Sequence, residues 1–314
     1  MISPSLLENI TIRKTPYAQK AWAKVLTMMY AFPSKTHIIV EGLEKIPDEP
    51  CFLAMNHTDR YNYWPFQYVL SQNKQYTCAW VKAKYFQNWF VRAFLLACNN
   101  IPVAPKGTLI ASLFFKRIGR KPTGVEYNAI QHYLQEGGNP KPIVAQFFGQ
   151  TPEKIVTQIE SDFAKLSLEV VRLNEEALAK GHHILIFPQG TRSLRLSKGH
   201  IGIAQMSQRL GASIVPIGCS GSDKCYPGVS PWAKGGTITY RVGDPISVDD
   251  PKIAQYRVAE PFVPFSAQAS RMHRNNFQAI TNVLMDTINT LVEPQYQYSK
   301  SKESDGVKGI ERFM

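Results

Sequence analysis

Short apolar runs recur along the chain, each bounded by polar or turn-forming residues. His37–Glu41, Cys51–Met55, Tyr76–Val81, His183–Phe187, Ser213–Gly218 and Thr237–Val242 read as strands. Between them the apolar positions return at helical spacing. Leu168–Lys180 stops at Gly181, and Ile201–Leu210 stops at Gly211, the residue type that closes helices most readily. Near the end, Phe277, Ile280, Leu284, Ile288 and Leu291 share one helical face. Strands interleaved with helices predict an α/β fold, a single domain whose mixed, mostly parallel sheet is flanked by helices. No internal repeat or linker divides it.

Three regions read as peripheral. Residues 1–36 form an amphipathic N-terminal segment. Its stripe of Ala18, Trp22, Val25, Leu26, Met29 and Phe32 lies near Arg13, Lys14, Lys20 and Lys24. Such a stripe suits either a membrane interface or packing on the core. The main domain, 37–294, carries an insertion at about 104–165. Up to residue 150 it mixes Leu109–Phe115 and Ile143–Phe148 with Lys116, Arg117, Arg120, Lys121 and several Gly and Pro, a composition expected of an irregular insertion or lid. The polar tail, 295–314, is expected to be loosely held.

Composition sharpens this in two ways. With 314 residues, 44% apolar and 19% charged, the chain can bury a sizeable core and is not disordered. Its 36 Lys+Arg against 24 Asp+Glu leave a net charge of +12, which calls for an anionic partner. Nucleic acid is set aside: the basic residues are dispersed, with no dense run and no aromatic–basic block. An anionic membrane surface or a phosphorylated substrate fits better. The five cysteines read as reduced core thiols. Met1–Lys14 lacks an apolar core and carries Glu8, so no signal peptide is expected. Phe90–Cys98 is interrupted by Arg92 and Leu109–Phe115 is too short to span a bilayer. The expected location is cytoplasmic, peripheral on the inner membrane face.

Two stretches carry chemistry. Ala54-Met-Asn-His-Thr-Asp-Arg-Tyr-Asn-Tyr-Trp64 follows a predicted strand and places His57 at its exit, where a base can face a cleft. Ile184-Leu-Ile-Phe-Pro-Gln-Gly-Thr-Arg-Ser193 runs from a buried strand into a turn, leaving Thr191, Arg192 and Ser193 beside Gly190. Backbone N–H groups, a guanidinium and two hydroxyls suit a phosphate. Alone, each has a plain structural explanation. Arg60, with Tyr61 and Trp64, reads either as a helix start packing inward or as part of an acceptor pocket. The His182-His183 pair is read as a solvated helix end rather than a metal site, because neighbours on a strand point to opposite faces. Cys219 and Cys225 have no second ligand pair at zinc-like spacing. Gly218-Cys-Ser-Gly-Ser222 lacks the closing glycine of a nucleophile elbow, which argues against a serine hydrolase.

Together and in order, the two stretches resemble the glycerophosphate acyltransferase superfamily, in particular bacterial lysophosphatidate acyltransferases. Asn56-His57 opens the first block, and Ala83-Lys84 with Ile101-Pro102-Val103 resembles the second. Phe187–Ser193 resembles the third, Lys198-Gly199 with Ile214-Val215-Pro216-Ile217 the fourth, and Gly243-Asp-Pro-Ile246 the last strand. The resemblance implies acyl transfer from acyl-CoA or acyl-carrier protein to a hydroxyl of a lysophospholipid or glycerol-phosphate acceptor. His57 is then the general base, and Lys84, Gln189, Gly190, Thr191, Arg192 and Ser193 bind or frame the acceptor. No metal or other cofactor is implied.

The chain departs from the family pattern twice. Five residues after His57 stands Asn62 where the family has Asp, and Gln189 stands where it has Glu. Asp59 is an alternative acidic partner for the ring if the loop turns back. Asn62 is the other, orienting His57 without offsetting the charge that forms on it. A third reading is a catalytically weak or inactive lipid-binding relative. Gln189 is expected to brace the turn that presents Arg192.

Overall fold

The computed structural model describes residues 4–32, 34–136, 141–149 and 151–306. Among these residues seven strands form one sheet: β1 (Thr36–Glu41), β2 (Phe52–Met55), β3 (Thr77–Lys82), β4 (Ile101–Val103), β5 (His183–Ile186), β6 (Ile214–Ser220) and β7 (Gly236–Val242). Their order is β1-β7-β6-β2-β5-β3-β4. Only β6 and β7 run antiparallel; every other pair is parallel. The mixed, mostly parallel sheet expected from the apolar runs is therefore present. β4 is the strand the pattern did not separate, because it is three residues long and contains Pro102.

Twelve helices accompany the sheet among the described residues: α1 (Pro4–Glu8), α2 (Tyr17–Ala31), α3 (Trp64–Gln72), α4 (Trp89–Ala97), α5 (Lys106–Ile118), α6 (Gly124–Glu136), α7 (Pro142–Phe148), α8 (Pro152–Ala179), α9 (Gly202–Leu210), α10 (Ser222–Cys225), α11 (Ala267–Met272) and α12 (Arg274–Leu291). The central strands are buried on both faces, and successive residues of β2 serve different cores. Phe52 and Ala54 pack with Leu166, Val170 and Leu173 of α8, Ile203 and Met206 of α9 and Phe277, Leu284 and Ile288 of α12. Leu53 and Met55 pack with Leu26 and Met29 of α2 and Phe66 and Leu70 of α3. Gly218 is needed for this layering. A Cβ there would lie 2.7 Å from the backbone of Leu291, so a side chain would push the end of α12 off β6.

Four expectations need revision. The insertion is helical, not irregular: α5, α6 and α7 enclose a third apolar cluster of Ile110, Phe114, Ile130, Phe147 and Phe148, completed by Ile155 and Ile159 of α8. Its Gly and Pro residues punctuate helices. Gly119 closes α5 in the left-handed conformation, and prolines occupy the first turn of α7 and α8. The helix read as Leu168–Lys180 is the second half of α8, which begins at Pro152. The histidine pair is buried rather than solvated, with His182 Nε2 2.8 Å from the Arg13 carbonyl and His183 Nδ1 accepting from Cys51 N–H at 3.3 Å. Finally, the tail folds back: Tyr296 is buried and its carbonyl accepts from Leu196 N–H at 2.8 Å. Residues 307–314 of that tail lie outside the described residues.

The stripe on α2 divides. Leu26, Met29 and Tyr30 face the core, whereas Tyr17, Val25, Met28 and Phe32 are exposed.

Candidate active site

Because β2, β5, β6 and β3 are neighbours and parallel, their carboxyl ends open onto one edge of the sheet. This is where ligands bind in open α/β sheets. His57 leaves β2 there, Phe187–Ser193 leaves β5 and Lys82 ends β3.

The loop after β2 is fastened by side chains that imitate backbone pairing. Asn56 accepts from Cys219 N–H at 2.7 Å and donates to Cys219 O at 2.9 Å, extending the bond between β2 and β6 past the last strand pair. Asn62 is fully buried. Its Nδ2 donates to Asn56 O at 2.8 Å, and its backbone carbonyl accepts from the Tyr240 hydroxyl at 2.6 Å. With Nδ2 committed to a carbonyl, Oδ1 is left to face His57 Nδ1 at 3.0 Å. An amide oxygen only accepts, so Nδ1 must carry the hydrogen and Nε2 is left with a free lone pair. The ring stacks on Phe187, centroids 4.0 Å apart and planes 19° apart. Burial, with the charges of Arg192 and Lys82, lowers the imidazole from its ordinary value to about 3, although the Asn62 bond works against this. The ring is therefore neutral across the physiological range.

Asp59 does not reach the imidazole. Its carboxylate accepts from Tyr61 N–H at 2.8 Å and from the Thr58 hydroxyl at 2.9 Å, bracing the turn into α3. Of the two candidate ring partners, the structure brings Asn62 to His57. Tyr61 and Trp64 pack inward, 4.5 Å apart by ring centroids, and Arg60 is half-buried with Nε unpaired among the described residues.

Gln189 joins the two blocks. Its buried amide oxygen accepts from His57 N–H at 3.0 Å, while Nε2 donates to Ser197 Oγ at 3.2 Å and Arg195 O at 3.3 Å. A carboxylate could supply the first bond but not donate to the Arg195 carbonyl, so an amide suits this arrangement. From the other side, Ser193 N–H donates to His57 O at 2.8 Å. Gly190, with φ of +63°, closes the turn with its N–H 2.9 Å from Phe187 O. Thr191 and Ser193 are buried and Arg192 is half-exposed.

Lys84 lies on the short turn after β3, its Nζ 5.9 Å from the Tyr85 ring centroid. Lys82 is the lysine whose charge reaches His57, and the sequence reading passed over it. Its place follows from register. Ala79 pairs with Leu185, which sets Lys82 opposite the turn that carries Gln189. Sequence alone does not show which strand is the neighbour of β3.

Residues 37–220, more than half of the chain, match the family model described as Acyltransferase. The chain belongs to the acyltransferase family. This agrees with the resemblance carried by the five ordered blocks. Among solved structures, this acyltransferase is similar to the crystal structure of the 1-acyl-sn-glycerophosphate (LPA) acyltransferase PlsC from Thermotoga maritima. Identity is 11% over 86% of this chain and 80% of that one, with a TM-score of 0.44. Comparison with curated protein sequences finds no match.

Proposed function

We propose that this acyltransferase moves a fatty acyl group from a thioester, acyl-CoA or acyl-carrier protein, to a hydroxyl of a lysophospholipid or glycerol-phosphate acceptor. The observation that carries the reading is the fixed tautomer of His57: Asn62 holds Nδ1–H and leaves Nε2 as the proton acceptor at the sheet edge, beside Arg192. In the reaction, Nε2 takes the acceptor's hydroxyl proton as that oxygen attacks the acyl carbonyl. The tetrahedral intermediate collapses by breaking the carbon–sulfur bond. The imidazolium proton then goes to the departing thiolate, which leaves as free thiol. Arg192 binds the acceptor phosphate, with the charge of Lys82 adding to the field. Asn62 orients the ring but brings no negative charge, which supports a second reading: a slow relative that binds lipid better than it turns it over.

Thiol release from acyl-CoA and acyl-carrier protein, measured across lysophosphatidate, glycerol 3-phosphate and other lysophospholipids, tests the proposal. Acceptor-dependent thiol release is the expected result, and its absence throughout the panel would overturn the catalytic reading. Arg192→Ala should raise the acceptor KM about 10- to 100-fold with little change in kcat, the cost of losing a charge-assisted contact made equally in ground and transition states. An unchanged acceptor KM would remove Arg192 from the phosphate site.

The acceptor's lipid nature favours work at a membrane. Among the described residues no helix is long and apolar enough to cross one. Exposed apolar side chains do cluster on two neighbouring helices: Trp89 and Phe90 on α4, 71% and 68% exposed, and Met28 and Phe32 on and just after α2. With the net charge of +12, this supports peripheral docking on an anionic membrane at the cytoplasmic face. The partition coefficient onto vesicles of mixed phosphatidylcholine and phosphatidylglycerol, measured by co-sedimentation, should fall about 30-fold or more in Trp89→Ser/Phe90→Ser, since each buried aromatic contributes on the order of 1–2 kcal/mol. Undiminished binding would place the docking face elsewhere.

A further inference from the structure

Beyond α12 the chain returns along the segment that follows Arg192. Tyr296 O accepts from Leu196 N–H at 2.8 Å, and Lys302 O accepts from Lys198 N–H at 3.1 Å. The Tyr296 hydroxyl donates to Asp223 at 2.6 Å, and Tyr298 N–H to Asn289 Oδ1 at 2.8 Å, so this strap is anchored before it reaches the site. At its far end the Asp305 carboxylate accepts from Leu194 N–H at 2.9 Å and from Arg195 N–H at 3.4 Å, and it also bonds the Ser193 hydroxyl. Asp305 N–H returns a bond to Ser193 Oγ at 3.2 Å. One residue on, Gly306 approaches the Arg192 carbonyl so closely that a side chain there would collide with it.

The segment 192–195 has neither helix nor strand to hold it. It is pinned to the His57 loop by Ser193 N–H on one side and to the strap by Asp305 on the other. Asp305 spends its charge on backbone and hydroxyl donors. Among the described residues Arg192 has no ion pair, so the strap braces the loop without neutralising its guanidinium.

We propose that Asp305 is a positioning residue: the C-terminal strap fixes the 192–195 segment and thereby aims Arg192 at the acceptor phosphate. This rests on the reading of Arg192 as the phosphate ligand. It assigns a role in acceptor recognition to a part of the chain outside the family's motifs.

The test uses the full chain, with lysophosphatidate as acceptor and palmitoyl-CoA as donor. Its affinity for lysophosphatidate is also measured calorimetrically in detergent micelles. Asp305→Ala should raise the acceptor KM and Kd about tenfold, with kcat within about twofold and the donor KM unchanged. Asp305→Asn keeps an oxygen for Leu194 N–H and should recover most of that loss. Arg192→Ala/Asp305→Ala should bind no more weakly than Arg192→Ala alone, because the strap acts through the arginine. Unchanged affinity in Asp305→Ala, a loss confined to kcat, or additive losses in the double variant would each overturn the inference. If Arg192→Ala itself left affinity unchanged, the phosphate reading would fall, and the strap's role with it. A response to Arg192→Ala with none to Asp305→Ala would sink the strap alone.

Discussion

His57→Ala should lower kcat by about 10²–10⁴-fold, the range a positioned general base contributes, while leaving the acceptor and donor KM near wild type. The expectation follows from what the ring touches. Its Nδ1 side is engaged by Asn62, which leaves Nε2 as the ring's proton acceptor within reach of the Arg192 charge, so truncation removes the proton acceptor without removing a phosphate ligand. The loop itself should survive. His57 is tied down through its backbone, by N–H to Gln189 Oε1 and by its carbonyl to Ser193 N–H, and alanine keeps both bonds. What is lost structurally is the stacking on Phe187, on the order of 1 kcal/mol for an aromatic pair. Thiol release under saturating acceptor, with the melting temperature measured beside it, separates the two effects. A variant that stays folded and turns over at the wild-type rate would remove His57 from the chemistry.

How far this site could be read in advance depended on whether a residue's role is local or set by strand register. His57, Gln189 and Arg192 stand in contiguous blocks immediately after buried strands, so pattern and motif order placed them at one sheet edge. Lys82 escaped because its closeness to His57 comes from the pairing of β3 with β5, across more than a hundred residues of sequence. Asp305 escaped for the same reason: nothing in a polar tail indicates that a carboxylate meets the N–H groups of Leu194 and Arg195. The insertion was misread on a different ground. The several Gly and Pro before residue 150 suggest irregular backbone, yet Gly119 ends α5 and Pro142 opens α7, the positions at which helices use these residues as boundaries. The choice between Asp59 and Asn62 is open in the sequence because both follow His57 closely in the same loop. Structure separates them through Asn56, whose carbonyl engages the Asn62 amide and so points its oxygen at the ring.

That same carbonyl governs the largest expected gain. Asn62→Asp restores the family's acidic partner and places a negative charge against His57 Nδ1. The charge favours imidazolium, so the imidazole should rise from about 3 towards its ordinary range, and the acidic limb of kcat/KM should move to higher pH with it. In the wild type that limb should lie well below pH 6.5, because a base with a lowered value stays deprotonated until the solution is strongly acidic. Above both limbs the stronger base and the stabilised imidazolium should increase kcat about tenfold or more, a fraction of the ~10⁴ that separates Asp from Asn in the serine protease triad. The gain has a structural cost. Asn62 Nδ2 donates to Asn56 O at 2.8 Å in a buried setting, and a carboxylate would turn that bond into a contact between two acceptors. About 1–3 kcal/mol of stability should be lost, the usual penalty for a buried acceptor left unpaired. A pH–rate profile and an unfolding curve on the two proteins measure both effects. Faster turnover, a limb shifted upward and a lower melting temperature would identify a chain that keeps the amide for its fold at the expense of its base. If the limb moved upward without any gain in kcat, proton transfer to His57 would not be the step that limits the reaction.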